Sequence, residues 1–392
     1  MPFRTIRSIL CLLLCITGSQ ISFAQLGKIT VDLEKDKPEK FKEKVLRSEK
    51  TGEKKFTAPR RFMQNTTTHY NYYFNATNKL NSVIERARMS NKDDYSRLLA
   101  FYGYSLENTS TQNTELDSVI YKATAGILLH DLRSDWVDDM YFLIGKAYFL
   151  RKALDSAAMT FQFINYNLFP RNKKNEDEQM IVGSNDNGGS AMSIANKEKN
   201  GILKRAPTRN EALVWQARTF VEMEEYPDAA GLLNTLRNDP LFPSRLKSDL
   251  EEITSYWFYK QGAYDSSAKH LEKALANALD KEDKSRWEFL LAQMYEMTNQ
   301  PVKAFDYYTR ASHHTTDPLM DIFANLNKAK MYKSTDPKEL DNTIANLLKM
   351  AKRDKFESYK DIIYFSAAEL ALQKPDTAAA EFLLKKSIAY NE

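Results

Sequence analysis

Small residues recur at a fixed spacing inside stretches whose apolar residues follow a helical period. In the stretch 141–170, Gly145 and Ala157 lie twelve residues apart, and large apolar side chains surround each at spacings of three and four. Two antiparallel helices come close only where each contributes Gly, Ala or Ser, while the large residues fill the groove towards the next pair of helices. The pattern therefore predicts a helix-turn-helix hairpin that needs similar neighbours to cover its apolar face.

The same pairing returns along the second half of the chain. Further pairs spaced by twelve residues are Ala217 with Ala229, Ser255 with Ser267, Ala292 with Ala304, and Ala368 with Ala380, and Ala329 begins a looser copy. The first small residues of these copies follow one another at steps of 38, 37, 37 and 39 residues. Such a constant step is typical of the tetratricopeptide repeat, a helical hairpin of about 34 residues. We therefore predict an all-α tetratricopeptide-repeat solenoid whose regular array occupies 208–392.

The region 65–170 is predicted to contain less regular hairpins of the same kind. Asp93 or Asp94 is a suitable N-cap, because its carboxylate can accept a hydrogen bond from a free amide of the first turn. We expect it to begin a helix that continues through Gly103.

Polar and proline-containing stretches predict several helix ends. The run 108–114 is expected to form a long turn, and Asp135 or Asp138 to cap the first helix of the opening repeat. Pro240 and Pro318, each preceded by Asp, are expected to close two repeats, since proline cannot continue a helix.

Two stretches lack a helical period. The charged leader 25–64 is predicted to be a flexible, solvated spacer, with a basic tether to an anionic surface as the alternative. The Asn-, Gly-, Ser- and Lys-rich insertion 171–207 is predicted to be a long loop on one face of the solenoid. It is either disordered or a partner-binding loop.

The first 24 residues read as a secretory signal peptide. Arg4 and Arg7 precede a short apolar run, and a small-x-small site ends at Ala24. Both cysteines, Cys11 and Cys15, lie in this segment, and neither follows a small residue as a lipidation site would require. We expect export to the periplasm or to the outer membrane, with a lipid anchor as the second possibility. Because an apolar helix runs up to Glu392 without a polar capping helix, we also expect the array to be truncated.

The chain offers no recognisable catalytic or cofactor motif. Phosphate-binding glycine loops, the nucleophile-elbow motif and HExxH are absent, and we predict no enzymatic activity and no cofactor. His313 and His314 are adjacent but lack an accompanying carboxylate cluster, so we predict no metal site. The formal net charge is +4, and basic residues alternate with acidic ones, which argues against nucleic-acid binding.

Several strings of residues resemble a specific bacterial family. They are 69–76, 92–95, 116–122, 129–133, 161–166 and 183–189. Together they resemble the tetratricopeptide gliding-motility and type IX secretion proteins of Bacteroidetes (SprE/PorW-like), and the resemblance covers the N-terminal part of the family pattern, over 62–392. It implies an envelope protein that binds protein components of the secretion and gliding machinery. It also implies membrane association through a lipid anchor or through a partner.

Two functional hypotheses follow. The first is a protein–protein interaction scaffold, in which the repeats form a groove that takes a peptide or helix of a partner. Its predicted contacts are exposed residues of the first helices, namely Arg218, Glu222, Lys260 and Gln293. The alternative is a helical-repeat protein that binds glycans or nutrients for an outer-membrane uptake system, which would require an exposed aromatic cluster.

Overall fold

The fold is entirely helical over the residues that can be described. The computed structural model describes residues 51, 53, 55–168, 193–198, 206–331, 337–374 and 376–391. These residues form helices and turns and include no β-strand, so the predicted all-α class is confirmed. The predicted signal peptide and most of the predicted leader lie outside them. Within the same ranges, no helix is both long enough and apolar enough to cross a membrane.

The described helices form an N-terminal group and six consecutive hairpins. The N-terminal group consists of α1 (Ala58–Thr68), α2 (Phe74–Ser90), α3 (Leu106–Ser110) and α4 (Asn113–Leu128). The hairpins are α5 (Val137–Leu150) with α6 (Leu154–Phe163), α7 (Arg209–Glu222) with α8 (Tyr226–Asn238), α9 (Lys247–Lys260) with α10 (Tyr264–Ala274), α11 (Lys281–Met297) with α12 (Pro301–His314), α13 (Pro318–Met331) with α14 (Pro337–Met350), and α15 (Lys360–Gln373) with α16 (Thr377–Asn391). We call the odd-numbered members, α5 to α15, the first helices.

Each hairpin places its small residues inside the interface between its two helices. Gly145 faces Phe161 so closely that an added Cβ would lie 2.6 Å from the ring. In α9 and α10, the Ser255 hydroxyl donates to the Ser267 carbonyl at 2.7 Å, and the Ser267 hydroxyl donates back to the Ser255 carbonyl at 2.9 Å. The alanine pairs are almost completely buried as well. The spacing of twelve residues thus identifies the points where the paired helices approach.

A residue with left-handed backbone ends the first helix of four hairpins. These residues are Lys152 (φ 65°), Glu224 (φ 63°), Gly262 (φ 73°) and Asn299 (φ 56°). In each turn the next amide donates to a carbonyl five residues earlier, as Ala153 N does to Tyr148 O at 2.9 Å. This is the hydrogen bond of a Schellman motif, which satisfies carbonyls that the helix end leaves free. One turn geometry is therefore repeated along the array.

Order begins earlier than the sequence pattern indicated. Helix α1 starts at Ala58 instead of near residue 65, because the loop between α4 and α5 binds its basic residues. Arg60 pairs with the buried carboxylate of Asp131 at 3.0 Å, and Arg61 pairs with Asp135 at 2.6 Å. The last part of the predicted leader is thus helical.

Several predicted helix ends differ from the structure. The stretch after Asp93 and Asp94 is irregular, and the run 108–114 is mostly helical, in α3 and the start of α4. Neither Asp135 nor Asp138 caps α5. Asp135 is occupied by Arg61, and Asp138 accepts a hydrogen bond from the amide of Thr208 at 2.9 Å.

The two proline signals have different outcomes. Pro240 follows the end of α8, as predicted, whereas Pro318 begins α13 instead of ending α12. Proline is well tolerated at the first helical position, where its missing N–H would have no intrahelical partner. The Asp317 carboxylate accepts a hydrogen bond from the Leu319 amide at 2.9 Å, which completes the start of this helix.

Part of the predicted insertion is packed against the array. The amides of Ile194 and Ala195 donate to the Asp239 carboxylate at 2.7 and 2.9 Å, and Ala195 is buried. Glu198 accepts from Arg245 at 2.6 Å. Residues 193–198 therefore belong to the folded body, while most of the insertion lies outside the described residues.

Candidate interaction surface

One register position recurs along all six first helices. It is the residue that directly follows the first small residue of each hairpin. We call these residues the column, and they are Lys146, Arg218, Tyr256, Gln293, Lys330 and Glu369. Because they occupy equivalent positions, they mark one face of the stacked first helices. Two of the four predicted contact residues, Arg218 and Gln293, belong to the column.

The chain itself occupies the middle of this face. Residues 91–105, which we call the crossing segment, run without regular structure from the end of α2 to the start of α3. Tyr95, Leu99 and Phe101 of this segment are almost fully buried and join the core that α7 to α12 form. The predicted helix at this position is absent because its apolar residues pack onto distant first helices.

Gln293 of the column holds the backbone of the crossing segment. Its side-chain oxygen accepts from the Leu99 amide at 3.0 Å, and its side-chain nitrogen donates to the Arg97 carbonyl at 2.5 Å. On α9, Tyr259 lies one helical turn after the column residue Tyr256. Its hydroxyl donates to the Leu99 carbonyl at 2.7 Å. These hydrogen bonds pair peptide groups of the crossing segment that would be costly to bury without a partner.

Arg286 of α11 connects two distant parts of the crossing segment. Its guanidinium forms a bidentate pair with Asp93, with N–O distances of 2.6 and 3.0 Å. The same group donates to the carbonyls of Ala100 and Phe101 at 2.7 and 3.1 Å. Only 6 % of Arg286 is exposed, so a buried charge is balanced by one carboxylate and two carbonyl dipoles.

The two ends of the segment are held at different first helices. Near its start, the Tyr95 hydroxyl donates to Asp317 at 2.6 Å, and burial followed by this hydrogen bond raises the pKa of Tyr95 far above its usual range. Near its end, Arg218 donates to the Tyr104 hydroxyl at 2.9 Å and lies 4.0 Å from the centre of the Tyr102 ring. The segment therefore runs from the start of α13 back to α7, against the order of the repeats.

The four predicted contact residues have different surroundings. Arg218 and Gln293 are 6 % and 7 % exposed, so the expectation that they are exposed does not hold, since the crossing segment lies over them. Glu222 and Lys260 are partly exposed and lie 3.6 Å apart on neighbouring first helices. Whether any of the four binds a partner stays a prediction.

Glu222, Lys260 and Arg218 share a cleft of about 440 Å³ beside the crossing segment. Tyr104 and Tyr256 also line it, and the Tyr256 hydroxyl donates to Glu222 at 2.6 Å. The sequence thus identified residues that the fold brings together. It missed the crossing segment, Arg286 and Tyr259, and no local pattern could have linked them.

No family model matches this chain, and no curated protein matches it. The surface must therefore be interpreted from its own residues.

An aromatic surface lies at α1 and at the start of α5, and its cleft is lined by no residue of the crossing segment. Phe62 and Tyr70 are 69 % and 62 % exposed, and they border a cleft of about 590 Å³ with Trp136. The ring of His69 stacks on Trp136 with centroids 4.1 Å apart. Exposed rings of this kind give the flat apolar faces on which sugars can stack.

The described residues contain no group of three or more His, Cys, Asp or Glu side chains placed to hold a metal ion. Of the two adjacent histidines, His314 forms a 2.6 Å hydrogen-bonded pair with Glu288. The predicted absence of a metal, of a cofactor and of catalysis stays a prediction.

Proposed function

We propose that this protein is a non-enzymatic protein–protein interaction scaffold built from tetratricopeptide repeats. The observation that supports it best is the crossing segment itself. The first helices hold a chain without regular structure through hydrogen bonds from Gln293 and Tyr259 to its backbone and through buried aromatic side chains. A face with these properties is suited to bind peptides, because backbone contacts supply affinity and side-chain pockets supply specificity.

The assignment of the hairpins to tetratricopeptide repeats rests on three regularities. The small residues are spaced by twelve, the copies step by 37 to 39 residues over the regular array, and the turns repeat one left-handed geometry. These features support the repeat class, and the step is slightly longer than the usual length of about 34 residues.

We further propose that the scaffold acts in the cell envelope, in type IX secretion and gliding motility. This part rests on the resemblance of the residue strings described above. Two of these strings, 69–76 and 129–133, lie together in the fold, where the rings of Tyr72 and His130 are 5.2 Å apart. Protein components of the secretion and gliding machinery would be the partners, and the protein would be periplasmic or associated with the outer membrane.

A second candidate function is glycan or nutrient binding for an outer-membrane uptake system. The exposed aromatic surface favours it, since Phe62, Tyr70 and Trp136 line one cleft. This surface is separate from the column, so the two candidate functions can be tested apart.

A cross-linked pull-down from the native cell envelope tests the proposal. The tagged full-length protein is treated with an amine-reactive cross-linker, and captured proteins are identified by mass spectrometry. The double variant Glu222→Gln with Lys260→Gln, called the cleft variant, removes both charges of the ion pair in the cleft beside the crossing segment. The control Glu381→Gln with Lys385→Gln removes an exposed 2.7 Å pair on α16, a second helix.

We expect the wild type and the control to capture subunits of the secretion machinery. The cleft variant should capture at least about fivefold less of them, because it loses a charged contact. Equal capture by all three proteins would refute the use of this cleft. Recovery of a nutrient transporter or of bound glycan would favour the second candidate. If no protein is enriched over an untagged strain, the scaffold function itself fails.

A further inference from the structure

One member of the column differs from the other five. In the described residues, Arg218 donates to Tyr104, Tyr256 to Glu222 and Gln293 to the crossing segment, and Lys330 pairs with Glu369 at 3.6 Å. Lys146 of α5 has neither a hydrogen bond nor an ion pair with any described residue. Its ammonium lies against two aromatic rings, 4.7 Å from the centre of Trp215 and 5.4 Å from that of Phe142.

A second cation lies on the same indole. The guanidinium carbon of Arg218 is 5.0 Å from the centre of Trp215, so two positive charges share one aromatic side chain. Arg218 is almost fully buried, and its Nε has no hydrogen-bond partner among the described residues. The two cations repel each other. The carboxylates of Glu222 and Glu252 favour the charge of Arg218, whereas burial and the charge of Arg218 both disfavour that of Lys146.

The position of this pair follows from the path of the crossing segment. The segment covers the column from Gln293 to Arg218 and then enters α3, where the Thr109 hydroxyl donates to the Leu150 carbonyl at the end of α5 at 2.7 Å. Lys146 is the next column residue, and it lies just beyond the covered part. The column therefore continues by one position that the crossing segment does not use.

We propose that Lys146, with Arg218 beside it, binds a carboxylate of a partner peptide that lies across α5 and α7. A carboxylate matches the site because it accepts hydrogen bonds from an ammonium and a guanidinium and neutralises the paired charge. A peptide is the source because the column residue Gln293 already binds the backbone of a chain segment without regular structure. This inference rests on the proposed scaffold function and names the chemistry of its partner.

The electrostatics of Lys146 agree with a site that binds an anion. Burial, and after it the charge of Arg218, lower the pKa of Lys146 to about 8. A bound carboxylate would restore the pKa towards its ordinary value, because an opposite charge favours the ammonium form. The lysine that costs folding energy in the free protein would thus contribute to binding.

Zero-length cross-linking tests the proposal directly. A water-soluble carbodiimide activates a carboxyl group, and an amine in contact then forms an amide as the urea leaves. The full-length protein is treated in its native envelope, digested and analysed by mass spectrometry. The Lys330–Glu369 pair serves as an internal positive control, because its amide must form whether or not a partner is present.

We expect Lys146 to be linked to an Asp, Glu or C-terminal carboxyl group of another protein. Lys146→Gln should reduce capture of that protein about tenfold, Lys146→Arg should restore most of it, and Lys330→Gln should leave it unchanged. A link from Lys146 to this chain's own carboxylates would overturn the proposal. Capture of the partner by Lys146→Gln at the wild-type level would also overturn the proposal, but it would not contradict the scaffold function. Failure of the wild type to capture any protein would instead remove the scaffold function.

Discussion

The column has different partners in two parts of the array. In α7, α9 and α11 its residues contact or lie beneath the crossing segment, which adds Tyr95, Leu99 and Phe101 to a shared core. In α13 and α15 its residues, Lys330 and Glu369, pair with each other above a separate core. One register position therefore supports two kinds of contact, and its role depends on what the chain places over it.

The difference concerns energy as well as geometry. Contacts beneath the crossing segment are buried, so removing one partner leaves a charge or a peptide group desolvated and unpaired. The Lys330–Glu369 pair is about one third exposed on each side chain, and water replaces its partners readily. Equivalent substitutions in the two parts should have clearly unequal effects.

The largest effect is expected for Arg286→Ala. The substitution leaves Asp93 and two carbonyls without their donor, and we expect it to lower the free energy of unfolding by about 3–5 kcal/mol. Urea denaturation of the full chain gives this value, and limited proteolysis should show faster cleavage within 91–105. The variant Arg286→Lys keeps the charge but loses the bidentate geometry, so an intermediate loss is expected. A change below about 1 kcal/mol would mean that the segment is not held by this residue.

A smaller effect is expected for Gln293→Ala, which leaves the Leu99 amide unpaired. We expect a loss of about 1–3 kcal/mol, against less than about 1 kcal/mol for Lys330→Gln at the equivalent position of α13. The same denaturation series measures both. Equal losses would show that the covered and uncovered parts of the column do not differ in energy.

The smallest effect, and one of opposite sign, is expected for Lys146→Met. Since the partly buried cation has no hydrogen bond or ion pair with a described residue, an apolar replacement should stabilise the free protein by about 1 kcal/mol near pH 7. The pKa of Lys146 is about 8 when folded and about 10.4 when unfolded, so between these values the unfolded chain binds more protons. The stability that this group contributes therefore rises with pH in that window.

The advantage of Lys146→Met over the wild type should consequently shrink from pH 8 to pH 10. Thermal unfolding of both proteins at several pH values measures the difference in their stability. Groups other than Lys146 titrate alike in the two proteins, so their contributions cancel in this difference. A constant difference over this range would contradict the lowered pKa of Lys146.

The sequence allowed the repeat geometry to be predicted because that geometry is local. Gly145 and Ala157 are twelve residues apart, and their close approach depends only on the hairpin that contains them. The crossing segment could not be predicted in this way. Its apolar residues Tyr95, Leu98 and Leu99 have helical spacing, and an aspartate precedes them, so local rules favour a helix. Contacts with distant first helices outweigh that preference.

The candidate surface was predictable in part for the same reason. Register alone placed Arg218 and Gln293 on one face of the first helices. Their burial depends on a segment from the N-terminal group, which register does not reveal. The sequence also does not show that Lys146 lacks an ion pair with a described residue, because this depends on which side chains the fold places around it.

The crossing segment also affects how the chain can fold. In most solenoids each repeat contacts only its neighbours, so folding can begin anywhere and spread. Here Asp93 and Arg286 are 193 positions apart in the chain, which gives the middle of the array an unusually high contact order. At ribosomal speed the segment would wait roughly 10–40 s for its partner helix to be made. Repeats α7 to α12 can therefore complete their core only after the N-terminal segment has returned to them.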